Sequence, residues 1–259
     1  MWISKTCSRI AAISLLSLVP AAQLWAQENT GEIDSFNRSL GLEGMGSDLA
    51  SVEHEIEHGS PANNEPESPT TPGSKKAPAQ KKAPAQRTES FRDLAFSPNP
   101  AVTNTVRAYY VSHMNAATLM NAPTYDSLIS RFDRRFDNYG FSRHNIGDSF
   151  AGYLIVVWEI LHNADASSTP TGIRRARAAV CQIMERRGKA AQLSSEGKQK
   201  LSELLKCLAE YGSVQVRQAR QTNNQAVIRQ WQTSLSQPLL KLGIDLSRFQ
   251  LTDNGFVKG

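Results

Sequence analysis

From Phe91 onward, apolar residues recur at intervals of three and four, the period of helices that turn one face inward. Asn99-Pro100 reads as an N-cap followed by proline in the first turn, opening a helix over about residues 100–119. Tyr125 to Tyr139 forms a second, stopped by Gly140. A third opens at Asn145 or Asp148. Its Phe150, Tyr153, Leu154, Val157, Trp158 and Leu161 line one side, and Ile155, Val156 and Ile160 carry the apolar surface nearly all the way round. That pattern marks a central, buried helix. A fourth helix is expected from about Thr171 to Arg187, a fifth from Ser195 to about Gln221, and a sixth from about Gln225 to Gln237, where Pro238 ends it. The tail is apolar at Ile244, Leu246, Phe249, Leu251 and Phe256 around an Asp-Asn-Gly turn, and is expected to pack back on the helices. No strand-period alternation is read. The expectation is an all-α domain over residues 91–259, a single bundle of about six helices.

The first 90 residues follow other rules. Lys5 and Arg9 precede a 13-residue apolar stretch, Ile10 to Ala22, and Leu24-Trp25-Ala26 offers a small residue before Gln27. This is the layout of a secretory signal peptide over residues 1–26, and its apolar stretch falls well short of the ~20 residues that span a bilayer. No apolar run of 18 residues occurs anywhere, which excludes a multispanning membrane protein. Residues 27–58 form an acidic arm in which Leu42, Met45, Leu49, Val52 and Ile56 make a marginal amphipathic helix, weakened by Gly41, Gly44 and Gly46. Residues 59–90 are a disordered Pro/Lys-rich linker with a tandem hexad, KKAPAQ at 75–80 and again at 81–86. The linker reads as a spacer or as a basic tether to anionic envelope polymers or lipid.

Charge separates these segments. Residues 27–72 carry one Arg against 10 acids, residues 73–92 six Lys and Arg against one Glu, and the helical part 20 basic against 13 acidic residues. Three cysteines exclude a disulfide-dense scaffold and any four-Cys metal site. Cys181 and Cys207 remain after processing. In an oxidising compartment they read as a disulfide, against an offset of about six residues, or ~9 Å, if the fourth and fifth helices run antiparallel. The alternative is two buried thiols.

Few motifs carry chemistry. His54-Glu55-Ile56-Glu57-His58 is a literal H-E-x-x-H, in which two His would hold zinc and Glu55 would act as base. Its apolar neighbours point away from both His, and the Pro-rich linker follows, so a solvated acidic helix explains it and no metal site is assigned. Ser195-x-x-Lys198 matches one element of penicillin-recognising enzymes without the others, and helix capping accounts for it. Arg174, Arg175, Arg177, Arg186, Arg187 and Lys189 give the fourth helix a basic surface, which export argues against reading as a nucleic-acid site. Arg177 falls inside the apolar stripe of that helix, and Glu159 interrupts the apolar third helix. The two are expected to form a buried ion pair. The functional alternative is a polar pocket around them, with His113 and His162 as neighbours. No catalytic residue and no cofactor is assigned.

The strings SPNPAVTNTVRAYYV at 97–111, GDSFAGYLIVVWEIL at 147–161, GIRRARAAV at 172–180 and GIDLSRFQLTDNGF at 243–256 give residues 97–259 a resemblance to an uncharacterised family of bacterial exported helical domains with no assigned function. The resemblance implies a signal peptide and one helical domain, and carries over no active-site residue. The reading is therefore an exported protein, periplasmic or extracellular, that uses a helical module on a flexible tether to meet a protein or envelope component. Its rivals are a small-ligand binder or enzyme at the Glu159–Arg177 pocket, and a metal-binding arm through His54 and His58. N-terminal analysis of the exported protein should begin at Gln27 after cleavage behind Ala26. Exported protein that retains Met1 would overturn the cleaved signal peptide on which the localisation argument rests.

Overall fold

The computed structural model describes residues 91–113, 123–187 and 189–259. The calls on residues 1–90 lie outside them. Among the described residues seven α-helices follow in order: α1 Pro100–His113, α2 Tyr125–Phe136, α3 Ile146–His162, α4 Pro170–Arg187, the single-turn α5 Lys189–Gln192, α6 Ser195–Gln221 and α7 Gln225–Lys241. A two-stranded antiparallel sheet, β1 Phe249–Thr252 and β2 Gly255–Lys258, closes the chain. The six long helices match those expected from the pattern.

The caps explain where the helices begin. Asn145, Thr124, Ser194 and Asn224 each accept a hydrogen bond from a backbone N–H in the first turn of α3, α2, α6 and α7 respectively. Such a cap satisfies donors that a helix start leaves unpaired, and is worth about 1 kcal/mol.

Everything is arranged around α3, whose residues from Ile146 to Ile160 are all buried. It packs against α6 on one side and α4 on the other, with α7 also in contact. The outer helices α1, α2 and α7 pack on α6, and the β-hairpin packs on α4. Gly152 permits the close approach of α2: a Cβ there would lie 2.4 Å from the Phe132 ring.

Two expectations about the C-terminal part change. Pro238 lies inside α7 and does not end it. The missing N–H removes one helical bond, but burial of Leu235 and Leu239 on either side of it keeps the helix going. The stop comes one turn later. Ile244 N–H donates to the Leu239 carbonyl at 2.8 Å and Gly243 N–H to the Leu240 carbonyl at 2.9 Å, with Gly243 at φ 78. That pair of bonds is the Schellman closure, for which glycine supplies the left-handed residue.

The tail does pack back, but as a hairpin. Phe249 pairs with Lys258 and Thr252 with Gly255, across the turn Asp253-Asn254. The alternation of Phe249 and Leu251 inward with Gln250 outward is a strand period that lasts too few residues to stand out. Trp158 Nε1 donates to the Phe249 carbonyl at 2.9 Å and so ties the hairpin to α3. On the α4 side the fit depends on Gly172, where a Cβ would lie 2.0 Å from the Thr252 carbonyl oxygen. Gly172→Ala gains under about 1 kcal/mol of helix propensity but drives a methyl into backbone, which costs about 1–3 kcal/mol. The expected outcome is a lower urea midpoint, with amide exchange protection lost in the hairpin before the helices. Wild-type protection at Gln250 and Val257, a hydrogen-bonded pair of the hairpin, would show that this contact does not hold the hairpin.

Candidate functional site

The anticipated partners Glu159 and Arg177 do not meet. They lie in separate charge clusters, because Asp148 and Glu159 are eleven residues apart on α3, about 16 Å at helical rise, and α4 brings Arg177 to the Asp148 end. This corrects the expected ion pair.

In the first cluster, Arg177 grips Asp148 with two bonds, Nε to Oδ1 at 2.5 Å and Nη2 to Oδ2 at 3.2 Å. The Ser142 N–H donates to Asp148 Oδ2 at 2.6 Å, and the Cys181 thiol to Oδ1 at 3.5 Å. The rings of Phe91 and Phe141 both lie against the Arg177 guanidinium, at 5.5 and 5.7 Å. A planar cation that pairs bidentately and also stacks is a role lysine cannot fill.

In the second cluster, Arg135 of α2 bridges two carboxylates from different helices. It bonds Glu159 Oε2 through Nη2, and Glu210 Oε1 of α6 through Nη1 at 3.3 Å. Glu159 Oε1 accepts the Ala166 N–H at 3.0 Å. Glu210 is fully buried, and its Oε2 has no hydrogen-bond partner among the described residues. A third contact of the same kind joins Lys206 of α6 to Asp133 of α2 at 2.7 Å, and Lys206 also donates to the Arg143 carbonyl at 2.8 Å.

Arg135, Glu210, Lys206 and Asp133 were not singled out from the sequence, and Asp148 was named only as a possible start of the third helix. Lys206 and Glu210 stand four apart, the spacing of a surface pair on one helix, yet each bonds a residue of α2 instead. Asp148 looks like an acidic residue in a first helical turn. Only its position beneath the Arg177 stripe could have flagged it.

The remaining candidates have structural partners. His162 stacks on Trp158 with its Nε2 3.0 Å from the Leu246 carbonyl, and the side chain of His113 lies outside the described residues. Ser195 exchanges bonds with the Ser97 backbone, and Lys198 donates to the Asp93 carbonyl at 2.5 Å, so the two do not form a dyad. Arg174 and Arg175 reach the Asn138 carbonyl and Asn254 Oδ1. His54, Glu55, His58, Ala26 and Gln27 lie outside the described residues.

Cys181 and Cys207 are free and buried, a correction of the expected bridge. The expectation paired the fourth and fifth predicted helices directly. Instead α3 receives both α4 and α6, and the connection between them contains α5 rather than a tight turn. Burial pushes both thiols well above the ordinary range, which keeps them in the unreactive form.

A concavity beside these clusters is a notch of about 10 Å³ whose lining includes Phe132, Phe136, Phe141, Asp137, Arg143 and Asp148, room for about one water molecule. Among the described residues, no group of three or more His, Cys, Asp or Glu side chains is placed to hold a metal ion, and no helix is long and apolar enough to cross a membrane.

The model of a protein family described as a family of unknown function (DUF6683) matches residues 59–258. The chain belongs to that family. No curated protein and no solved structure matches it. The DUF6683 match takes in residues 59–90 as well as the helices, so it is wider than the resemblance over residues 97–259.

The Arg135 bridge gives a direct test of what the buried charges do. Arg135→Met should lower stability by about 2–4 kcal/mol, a value reduced because the guanidinium is 28% exposed. Adding Glu210→Gln should recover part of that loss, since it removes one of the two stranded charges and leaves that of Glu159. Urea unfolding of the single and double variants decides it. Additive destabilisation by the second substitution would contradict the account.

Proposed function

We propose that this DUF6683 protein is exported and serves as a non-enzymatic interaction module: a helical domain, carried on an acidic arm and a basic linker, that binds a protein or other envelope component in the periplasm or outside the cell. The observation that supports this reading is where the charged side chains go. Glu159 and Arg177, the residues a catalytic or small-ligand pocket was expected to use, are engaged in two separate helix-to-helix clusters. A guanidinium that already holds a buried carboxylate by two bonds, between two phenyl rings, is committed to packing. What is left for recognition is the surface, together with a first segment whose sequence alternates strong negative and positive charge.

Export rests on the signal-like residues 1–26 and the cleavage expected between Ala26 and Gln27. The test is in-cell cross-linking of the full chain, followed by cell fractionation and identification of the linked species. Cross-links should recur to one envelope component at defined stoichiometry, and they should persist in folded Glu159→Gln and Arg177→Lys variants. A small-molecule turnover by the purified chain that either substitution abolishes would favour the enzyme reading and overturn this one.

A further inference from the structure

The chain enters the domain through residues 91–99, whose regular structure is a single 3-10 turn, Arg92–Leu94. This entry strap is nevertheless built into the interior. Phe91, Leu94 and Phe96 are buried, and Leu94 has no exposed surface. Asn145 Nδ2 donates to the Phe91 carbonyl at 2.9 Å, Lys198 Nζ to the Asp93 carbonyl at 2.5 Å, and the Ser97 N–H to Ser195 Oγ at 2.9 Å. The Phe96 N–H donates to the His144 carbonyl at 3.0 Å, beside a bridge between Ala95 and Asn145.

The side-chain ties, those of Ser195 to the Ser97 carbonyl and of Asn99 to Glu196 and Gln199 included, join residues 54 to 105 positions apart. The local backbone bonds ahead of Asn99, which caps α1, are those of one turn, from Leu94 to Phe91 and from Ala95 to Arg92. A helix that loses its neighbours keeps its own hydrogen-bond ladder for a time. This strap has no such ladder, so losing its remote ties frees it as a unit. The strap also covers particular groups. The Phe91 ring lies against the Arg177 guanidinium at 5.5 Å. At Gly147, the place a Cβ would occupy lies 2.7 Å from Leu94 Cδ1 and 2.8 Å from Cys181 Sγ, which puts the thiol beside Leu94.

We propose that residues 91–98 are a latch, an element that opens separately and uncovers Asp148, Arg177 and Cys181 while the helices stay folded. This goes beyond the interaction-module reading and stands without it. Because Phe91 follows residue 90 in the chain, a pull transmitted along the backbone from residue 90 reaches the latch before it reaches a helix.

The two buried thiols report on it from different places. Cys181 lies beneath the latch, whereas Cys207 is on α6, close to Tyr110 of α1 and Tyr125 of α2. The experiment is alkylation of the folded full chain along a urea series, read at each cysteine by peptide mass mapping, in the wild type and in Phe91→Ala. Cys181 should react faster than Cys207 in the wild type and with a shallower urea dependence, the mark of an opening smaller than global unfolding. Phe91→Ala should accelerate Cys181 by about tenfold or more and leave Cys207 within about twofold. Equal rates and equal urea slopes at the two thiols in the wild type would overturn the proposal, and so would acceleration of both alike, or of neither, in the variant. Should Phe91→Ala fail to fold, the wild-type comparison decides by itself.

Discussion

One helix that is apolar on every side, and that nonetheless carries two carboxylates into the interior, sets the terms for the rest of the domain. α3 buries every residue from Ile146 to Ile160, Asp148 and Glu159 among them. An uncompensated charge in such a place costs several kcal/mol, so each carboxylate requires a cation delivered by another helix. Arg177 comes from α4 on one side and Arg135 from α2 on the other. The two cannot be exchanged, because the carboxylates are about three helical turns apart. Apolar packing alone would tolerate several slides and rotations of α2 and α4 against α3. Two fixed charge contacts leave room for far fewer.

The second carboxylate extends this constraint to α6. Glu210 shares Arg135 with Glu159, so one guanidinium joins α2, α3 and α6. Lys206, one turn earlier on α6, answers Asp133 on α2. The α2–α6 contact is thus registered by two opposite pairings, an acid of α6 with a base of α2 and a base of α6 with an acid of α2. Reversing either helix would set like charges together. At the other flank of α3 the determinant is steric. The hairpin approaches α4 until the Thr252 carbonyl occupies the space a side chain at Gly172 would need, and Trp158 holds its first strand by a single hydrogen bond. The buried ion pairs therefore act chiefly in choosing one arrangement, and apolar burial supplies most of the stabilisation.

The long helices were legible because their signals are local. Capping residues such as Asn145 and Ser194 and a stripe repeated over several turns need only a few neighbouring positions to be recognised. The ion pairs were half legible. That Glu159 and Arg177 are engaged in the interior could be read from their places on apolar stripes. Their partners could not, because a helical wheel gives direction around an axis and says nothing of which helix lies in that direction or at what height. Lys206 and Glu210 mislead for the same reason: their spacing satisfies a local rule that the tertiary fold overrides. Pro238 is a parallel case in the backbone. A local rule ends the helix there, and the burial of Leu235 and Leu239 outweighs it until Gly243 provides a proper stop. The cysteine pair failed on topology, since the two helices that carry it are neighbours in sequence but both turn toward α3.

The same arrangement bears on how a site could arise in this fold. Catalytic acids and bases need an open face toward substrate and a protonation state free to change, and both are hard to keep in a group that secures helix packing. Asp148 accepts from Arg177, from the Ser142 N–H and from Cys181, and Glu159 from Arg135 and the Ala166 N–H. Recruiting either carboxylate to chemistry would require breaking the contact that places its helix. Recognition by the surface makes no such demand, because exposed side chains can vary while the buried pairings stay fixed. The family match, over residues 59–258, spans the junction between linker and domain. Phe91 stands at that junction with its carbonyl bound by the residue that caps α3 and its ring on the guanidinium that neutralises Asp148. The chain ahead of the domain is thereby joined to the central helix at the end where one of its two buried charges is held.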